Sequence, residues 1–236
     1  MGLITRSSFQ LSLIFLLMIP MPALAISAIT CHCFTDRSYD PARPTVADPY
    51  LLATTQNSFF AAAFGVDKKT IVMKKQKGTS ADDLWIAYWL GARSGADPGN
   101  LLQERKVKGS WRLAATALNI SEKSLGSRVA EALKANAPDE RLARMVVDDL
   151  LLRFRFYDEP ELAALRKAGA GNQELVLSGL IAAKTHQSPM QLYRDVKKAA
   201  TSWGALLQQA KIDNSEIQSE VTALVMATNG SRAKKE

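Results

Sequence analysis

The sequence is poor in the residues that crosslink small exported domains and build metal centres. Its 236 residues include only two cysteines and two histidines, which leaves little room for a multi-metal centre. Small secreted domains held by disulfides use more cysteine than this. The fold must therefore be held by its core, and a hydrophobic content of 47% is sufficient for one. Aromatic content of 7% and charged content of 22% are ordinary values, so the chain is not a disordered or collagen-like polymer.

Strand signals and catalytic motifs are also missing. No alternating apolar run of five or more residues is bounded by turns, and no Asn-Gly hairpin joins two apolar runs. The sequence has no Gly-x-Ser-x-Gly elbow, no glycine-rich phosphate loop and no His-Glu-x-x-His. Carboxylate pairs such as Asp82-Asp83 stand where helices are predicted to start, and there they compensate the helix dipole. These absences predict an all-α, non-catalytic protein.

The first 25 residues have the composition of a signal peptide. Arg6 is their only charge, and the apolar run Leu11–Ile19 is too short to span a bilayer of about 30 Å. Pro20 and Pro22 end that run, and small residues follow up to Ala25, after which we predict cleavage. Because no later stretch approaches about 20 apolar residues, we expect no transmembrane segment in the mature chain. The predicted location is periplasmic or secreted, with an uncleaved anchor as the alternative.

Cys31-His32-Cys33 is the only dense group of side chains that could bind a metal. Two thiolates and an imidazole suit a soft metal ion, namely copper(I) or zinc, with His186 or a carboxylate as a further ligand. A second interpretation is a strained Cys31–Cys33 disulfide with redox activity. A third is an incidental or structural link near the mature N-terminus, and lipid modification of Cys31 is a fourth. Apart from such a metal ion, no cofactor is expected.

The mature chain divides into a tether, a helical duplication and short connecting elements. We expect a flexible tether over 26–48, and then an N-terminal helix and a lysine-rich segment over 49–77. Connecting helices are predicted over 135–168, including a central helix near 139–157, and a disordered tail over 229–236.

An internal repeat is the most informative feature of the sequence. Gly78–Pro98 matches Gly169–Pro189 at an offset of 91, and Ser110-Trp111 matches Ser202-Trp203 at an offset of 92. The matched units, 78–134 and 169–228, are each predicted to form about four helices, which in the first unit cover 81–94, 98–107, 111–118 and 122–134. The residues expected to face the core are Leu84, Leu101, Trp111, Ile120, Leu175, Leu192, Trp203 and Ile212.

The functional expectation is binding or structural support in the bacterial envelope. The formal charge of +7 and the lysines of 68–77 favour an anionic envelope component as partner, with another protein as the alternative. A redox or metal-handling role through Cys31, His32 and Cys33 is the competing hypothesis. A second alternative is nucleic-acid binding, because the end of each unit resembles a helix-turn-helix. Export and the few cations on the predicted recognition helix (Lys123 and Arg128) argue against that alternative, so no nucleic acid is expected.

Overall fold

The computed structural model describes residues 34–233, with side-chain surroundings for 34–228. The predicted signal peptide and Cys31-His32-Cys33 lie outside this range. All regular structure between 34 and 233 is helical, which confirms the all-α prediction, and none of these helices is long and apolar enough to cross a bilayer. The helices are α1 Asp48–Phe64, α2 Lys68–Gln76, α3 Ala81–Ser94, α4 Pro98–Lys108, α5 Trp111–Ala117, α6 Glu122–Leu125, α7 Ser127–Lys134, α8 Asp139–Arg153, α9 Glu159–Lys167, α10 Asn172–Thr185, α11 Pro189–Lys197, α12 Trp203–Gln209 and α13 Ile217–Ala233.

Local capping residues set most of these boundaries. Side-chain oxygens accept backbone N–H groups in the first turn of several helices, and satisfy donors that have no partner inside the helix. The residues that cap in this way are Asp67, Ser80, Asp97, Ser110, Asp158 and Ser202. Gly95 ends α3 in the left-handed conformation (φ +79°), which glycine adopts without steric cost.

Two long helices connect the first half of the described chain (34–134) with the second half (139–233). Helix α1 packs against α10, α12 and α13, and helix α8 packs against α3 and α7. Each therefore lies among helices that are distant in sequence. The ring of Phe59 shows this, because its centroid lies 6.1 Å from that of Phe154 and 5.1 Å from that of Phe156. The two halves share one core.

The structure corrects three local expectations. Helix α2 forms inside the lysine-rich segment, where no helix was predicted. The predicted helix 122–134 is split into α6 and α7 by Gly126, whose backbone (φ +74°, ψ 151°) is accessible essentially to glycine alone. Helix α13 continues to Ala233, so the predicted tail 229–236 is helical through that residue. Helix α13 packs along α1.

Residues 34–47, within the predicted tether 26–48, have no regular helix but pack against the second half. The Asn214 amide donates to the carbonyl of Arg37 at 2.9 Å, and Tyr39 lies against Gly204. The carboxylate of Asp48 then accepts the backbone N–H groups of Trp203 (3.2 Å) and Gly204 (2.9 Å). These contacts hold the chain on the N-terminal end of α12 before it enters α1.

The residues expected in the core are buried at seven of eight positions. Ile120 is only partly buried, although it packs against the same hydrophobic cluster. The other seven have relative exposures of 4% or less: Leu84, Leu101, Trp111, Leu175, Leu192, Trp203 and Ile212.

Candidate functional site

The described range leaves the predicted metal or redox group untested. Cys31, His32 and Cys33 lie before residue 34, so a soft-metal site or a disulfide there remains a prediction. His186, the suggested further ligand, ends α10 in the left-handed conformation (φ +57°). Within the described residues, no group of three or more His, Cys, Asp or Glu side chains could hold a metal ion.

The sharp turn between α4 and α5 is the first candidate site. Gly109 (φ +78°) ends α4, and the Ser110 hydroxyl caps α5 by accepting the N–H of Leu113 at 3.3 Å. Val107 precedes this turn and Leu113 follows it, and their side chains are 63% and 45% exposed. In the described chain, the only other large hydrophobic side chains with high exposure are Met73 and Met226.

Three cations are the sequence neighbours of these two apolar side chains. Lys106, Lys108 and Arg112 are all exposed, and none makes an ion pair within the described part of the chain. We call the group formed by Lys106, Val107, Lys108, Arg112 and Leu113 the basic tip. Unpaired ammonium and guanidinium groups beside exposed apolar side chains combine the two interactions that a charged lipid surface offers.

Partly buried contacts fix the base of the basic tip. Arg105 turns inward to the carboxylates of Asp139 and Asp83, and so ties α4 to α8 and α3. The indole N–H of Trp111, a residue only 1% exposed, donates to Asp83 at 3.2 Å. Because Asp139 and Asp83 pair with Arg105, they do not neutralise the charges of the basic tip.

An acidic neighbour of this base has an unusual pKa. Burial raises the pKa of Asp82 above its ordinary value, and the nearby carboxylates of Glu140, Asp83 and Asp139 raise it further. The charge of Lys75 acts in the opposite direction. Folding therefore disfavours the ionised form of Asp82, and the free energy of unfolding depends on pH through this group.

The lysine-rich segment contributes less to the surface than its sequence suggests. The Lys75 ammonium donates to the side-chain oxygen of Asn57 at 2.6 Å, and the Lys68 ammonium lies 3.4 Å from the Ser58 hydroxyl. These partners belong to a run of five buried polar residues in the middle of α1, Thr54–Ser58. The sequence pattern does not reveal that these polar residues are buried, because they interrupt the apolar pattern of the helix.

The positive charge is concentrated in helices α2 to α5 all the same. Residues 66–113 contain ten Lys or Arg and five Asp or Glu, and ten minus five gives +5 of the +7 of the whole chain. Lys69, Met73 and Lys77 are spaced four apart and are all exposed, which gives α2 a smaller surface of the same character.

No protein-family model matches this chain, and no match is found among curated proteins or solved structures. The chemistry of the described surfaces is therefore the basis for a functional assignment.

Proposed function

We propose that the mature chain is an exported, non-catalytic helical-repeat protein whose basic tip binds an anionic surface of the bacterial envelope. The observation that carries this proposal is the arrangement of Lys106, Lys108 and Arg112 around the exposed side chains of Val107 and Leu113. The predicted signal peptide supports it, because export would bring the protein to membranes rich in anionic lipid. The occupant we propose is the phosphate-bearing headgroup layer of such a membrane.

The expected affinity follows from the composition of the basic tip. A lysine or arginine near an anionic bilayer contributes about 1 kcal/mol, so the three cations supply about 3 kcal/mol. Partial insertion of Val107 and Leu113 adds about 2 kcal/mol, since full burial of each side chain would give roughly 1.5–3 kcal/mol. A total of about 5 kcal/mol corresponds to reversible binding with a Kd on the order of 0.1–1 mM.

We also propose that the helical repeat is longer than the sequence match, and relates α1–α7 to α8–α13. Support comes from helix starts at a constant offset of 91, such as Asp48 with Asp139 and Ala81 with Asn172. Gly78 and Gly169 show the same offset and share a positive φ, of +92° and +96°. After the one-residue insertion the offset becomes 92, and Asn119 and Lys211 share a positive φ at that spacing.

In this proposal the basic tip belongs to one copy only. At an offset of 92, Val107 corresponds to Ala199 and Arg112 to Gly204. The second turn is covered by the segment 34–47, because a Cβ atom at Gly204 would lie only 2.8 Å from the ring of Tyr39. In the second copy this turn is therefore packed inside the protein. In the first copy the corresponding turn exposes cations and apolar side chains to solvent.

Vesicle co-sedimentation of purified residues 26–236 tests the binding proposal. We expect binding to vesicles of phosphatidylglycerol and phosphatidylethanolamine, weakening as salt rises, and little binding to phosphatidylcholine. Replacing Lys106, Lys108 and Arg112 together by glutamine should weaken binding about 100-fold, since about 3 kcal/mol is lost.

The apolar contribution requires its own variant and control. Val107→Ser with Leu113→Ser should weaken binding at least tenfold at constant charge, whereas Met226→Ser should leave it unchanged. Lys198→Gln with Lys211→Gln serves as the charge control elsewhere on the surface. Equal binding to anionic and zwitterionic vesicles, or equal effects of tip and control variants, would refute a specific role for the basic tip.

A further inference from the structure

A cleft in the described chain lies on the opposite copy of the proposed repeat from the basic tip. It lies between the α8–α9 turn, α10 and α13, and its volume is about 460 Å³. This volume lies within the range of sites that bind small molecules. Much of its lining is apolar or small, and the residues that form it include Phe154, Phe156, Gly179, Ala182 and Leu224.

Gly179 makes the floor of this cleft. A Cβ atom at this position would lie 2.7 Å from Cδ1 of Phe156 and 3.0 Å from the hydroxyl oxygen of Tyr157, so only glycine lets the aromatic turn rest on α10. The Tyr157 hydroxyl is itself held by hydrogen bonds to the carbonyl of Leu175 and to the Ser178 hydroxyl (2.9 Å). These contacts hold the aromatic turn that contributes Phe154 and Phe156 to the cleft.

The first copy has a large aromatic ring at the position that corresponds to Gly179. At the offset of 91, Gly179 corresponds to Tyr88, whose ring centroid lies 5.0 Å from that of Phe60 and 5.8 Å from that of Phe64. This comparison rests on the proposed duplication. Glycine at this position in the second copy lets the α8–α9 turn pack closely on α10, whereas the first copy carries a large ring at the corresponding position.

Two opposite charges stand at the rim of the cleft without neutralising each other. Arg155 and Glu161 both line it, yet neither side chain makes an ion pair with the other or with any residue between 34 and 228. Arg155 is held in the left-handed conformation (φ +54°), directly after the buried Phe154. Partial burial raises the pKa of Glu161, and the charge of Asp158 raises it further.

We propose that this cleft binds a small zwitterion with an apolar body, namely an apolar amino acid or a dipeptide. Its carboxylate would pair with the Arg155 guanidinium, which offers two parallel donors. Its ammonium would pair with the Glu161 carboxylate, and its side chains would cover Phe154, Phe156 and Leu224. A ligand with no net charge gains little binding free energy from the overall positive charge of the protein. The ligand of this cleft therefore differs in charge from the anionic surface proposed for the basic tip.

Calorimetric titration of the purified protein with leucyl-leucine tests this proposal. We expect saturable binding, at least tenfold weaker for the N-acetylated dipeptide, which lacks the ammonium, and for the dipeptide amide, which lacks the carboxylate. Arg155→Gln should weaken dipeptide binding at least tenfold and abolish the discrimination against the amide. Glu161→Gln should also weaken dipeptide binding at least tenfold, and should abolish the discrimination against the N-acetylated dipeptide. Arg153→Gln and Glu159→Gln are matched controls on the same turn and should bind like the wild type.

The outcomes separate the cleft from the basic tip. Arg155→Gln should melt at the wild-type temperature, because its side chain has no described partner to lose. Glu161→Gln should melt at or slightly above that temperature at pH 7, because partial burial and the charge of Asp158 disfavour the ionised carboxylate. Both variants should sediment with anionic vesicles as the wild type does. No saturable binding of leucyl-leucine, or binding that the rim variants leave unchanged, overturns the proposal. Free leucine distinguishes an amino-acid site from a dipeptide site by its relative affinity.

Discussion

Separating the two halves of the chain should abolish folding of each half alone. The link between α7 and α8 is exposed at Asn136 and Pro138, so the chain can be cut there without removing a packed side chain. Helix α1 would then lose α10, α12 and α13, and helix α8 would lose α3 and α7. We therefore expect residues 26–136 and 137–236 to be unfolded or aggregated when expressed separately, and to form a native complex when refolded together.

The magnitude follows from the apolar side chains on these two helices. Eight large ones are at most 2% exposed: Leu51, Phe59, Phe60, Leu142, Val146, Val147, Leu150 and Leu151. At roughly 1.5–3 kcal/mol for each buried side chain, they represent about 12–24 kcal/mol in the intact chain. Even half of this sum is comparable to the roughly 5–15 kcal/mol by which a whole domain is stable, so neither fragment retains enough burial to fold.

Circular dichroism and thermal melting of the fragments, alone and mixed, provide the assay. The mixture should regain a cooperative transition whose Tm rises with protein concentration, because folding has become bimolecular. The control is intact protein cut at the same link by an inserted protease site, which should elute as one species. A cooperative melt with near-ultraviolet signal from either fragment alone would show that the halves are independent domains and that the shared core is not required.

Three smaller perturbations test individual contacts. Ser202→Ala should lower the free energy of unfolding by about 1 kcal/mol, because the Ser202 hydroxyl caps α12. Ser188→Ala should lower it by only about a few tenths of a kcal/mol, because that hydroxyl makes no capping bond. Urea denaturation measures both changes. Tyr157→Phe should cost about 1–2 kcal/mol in the same assay, since it removes the hydrogen bond that fixes the buried turn. The raised pKa of Asp82 contributes stability that is complete below its ordinary value of 3.8 and is lost as pH rises through the folded value. Asp82→Asn should therefore melt above the wild type at pH 7, with the difference vanishing near pH 3, and an equal difference at both pH values would contradict this assignment.

The helical framework was predictable because its signals are local. Asp97-Pro98 and Ser202-Trp203 combine a capping side chain with the first turn of a helix, and the observed starts of α4 and α12 agree with both. The sequence pattern does not indicate α2, because Ile71 and Val72 are its only buried residues and five lysines stand around them in the sequence. The break at Gly126 was missed for a different reason, since glycine within a helical pattern does not by itself reveal its backbone conformation.

The candidate sites were less predictable, because exposure depends on what packs nearby. The sequences of the two turns, Ser110-Trp111 and Ser202-Trp203, predict the same cap and the same buried tryptophan. Only packing decides that Tyr39 covers the second turn while Val107 and Leu113 remain exposed at the first. In the same way, the lysine run of 68–77 predicts a charged surface, and contacts with α1 turn Lys68 and Lys75 inward.

Periodicity, caps and the repeated Ser-Trp pair were enough to establish the helical class, most helix boundaries and the prediction of a duplication. These features are read within a few residues of the chain, because a helix satisfies its own backbone hydrogen bonds. Tertiary structure alone decided that α1 and α8 lie among helices of the other half, that Phe156 packs directly on Gly179, and that Arg155 and Glu161 line the same cleft. Those outcomes depend on contacts between residues far apart in sequence, and no local pattern records them.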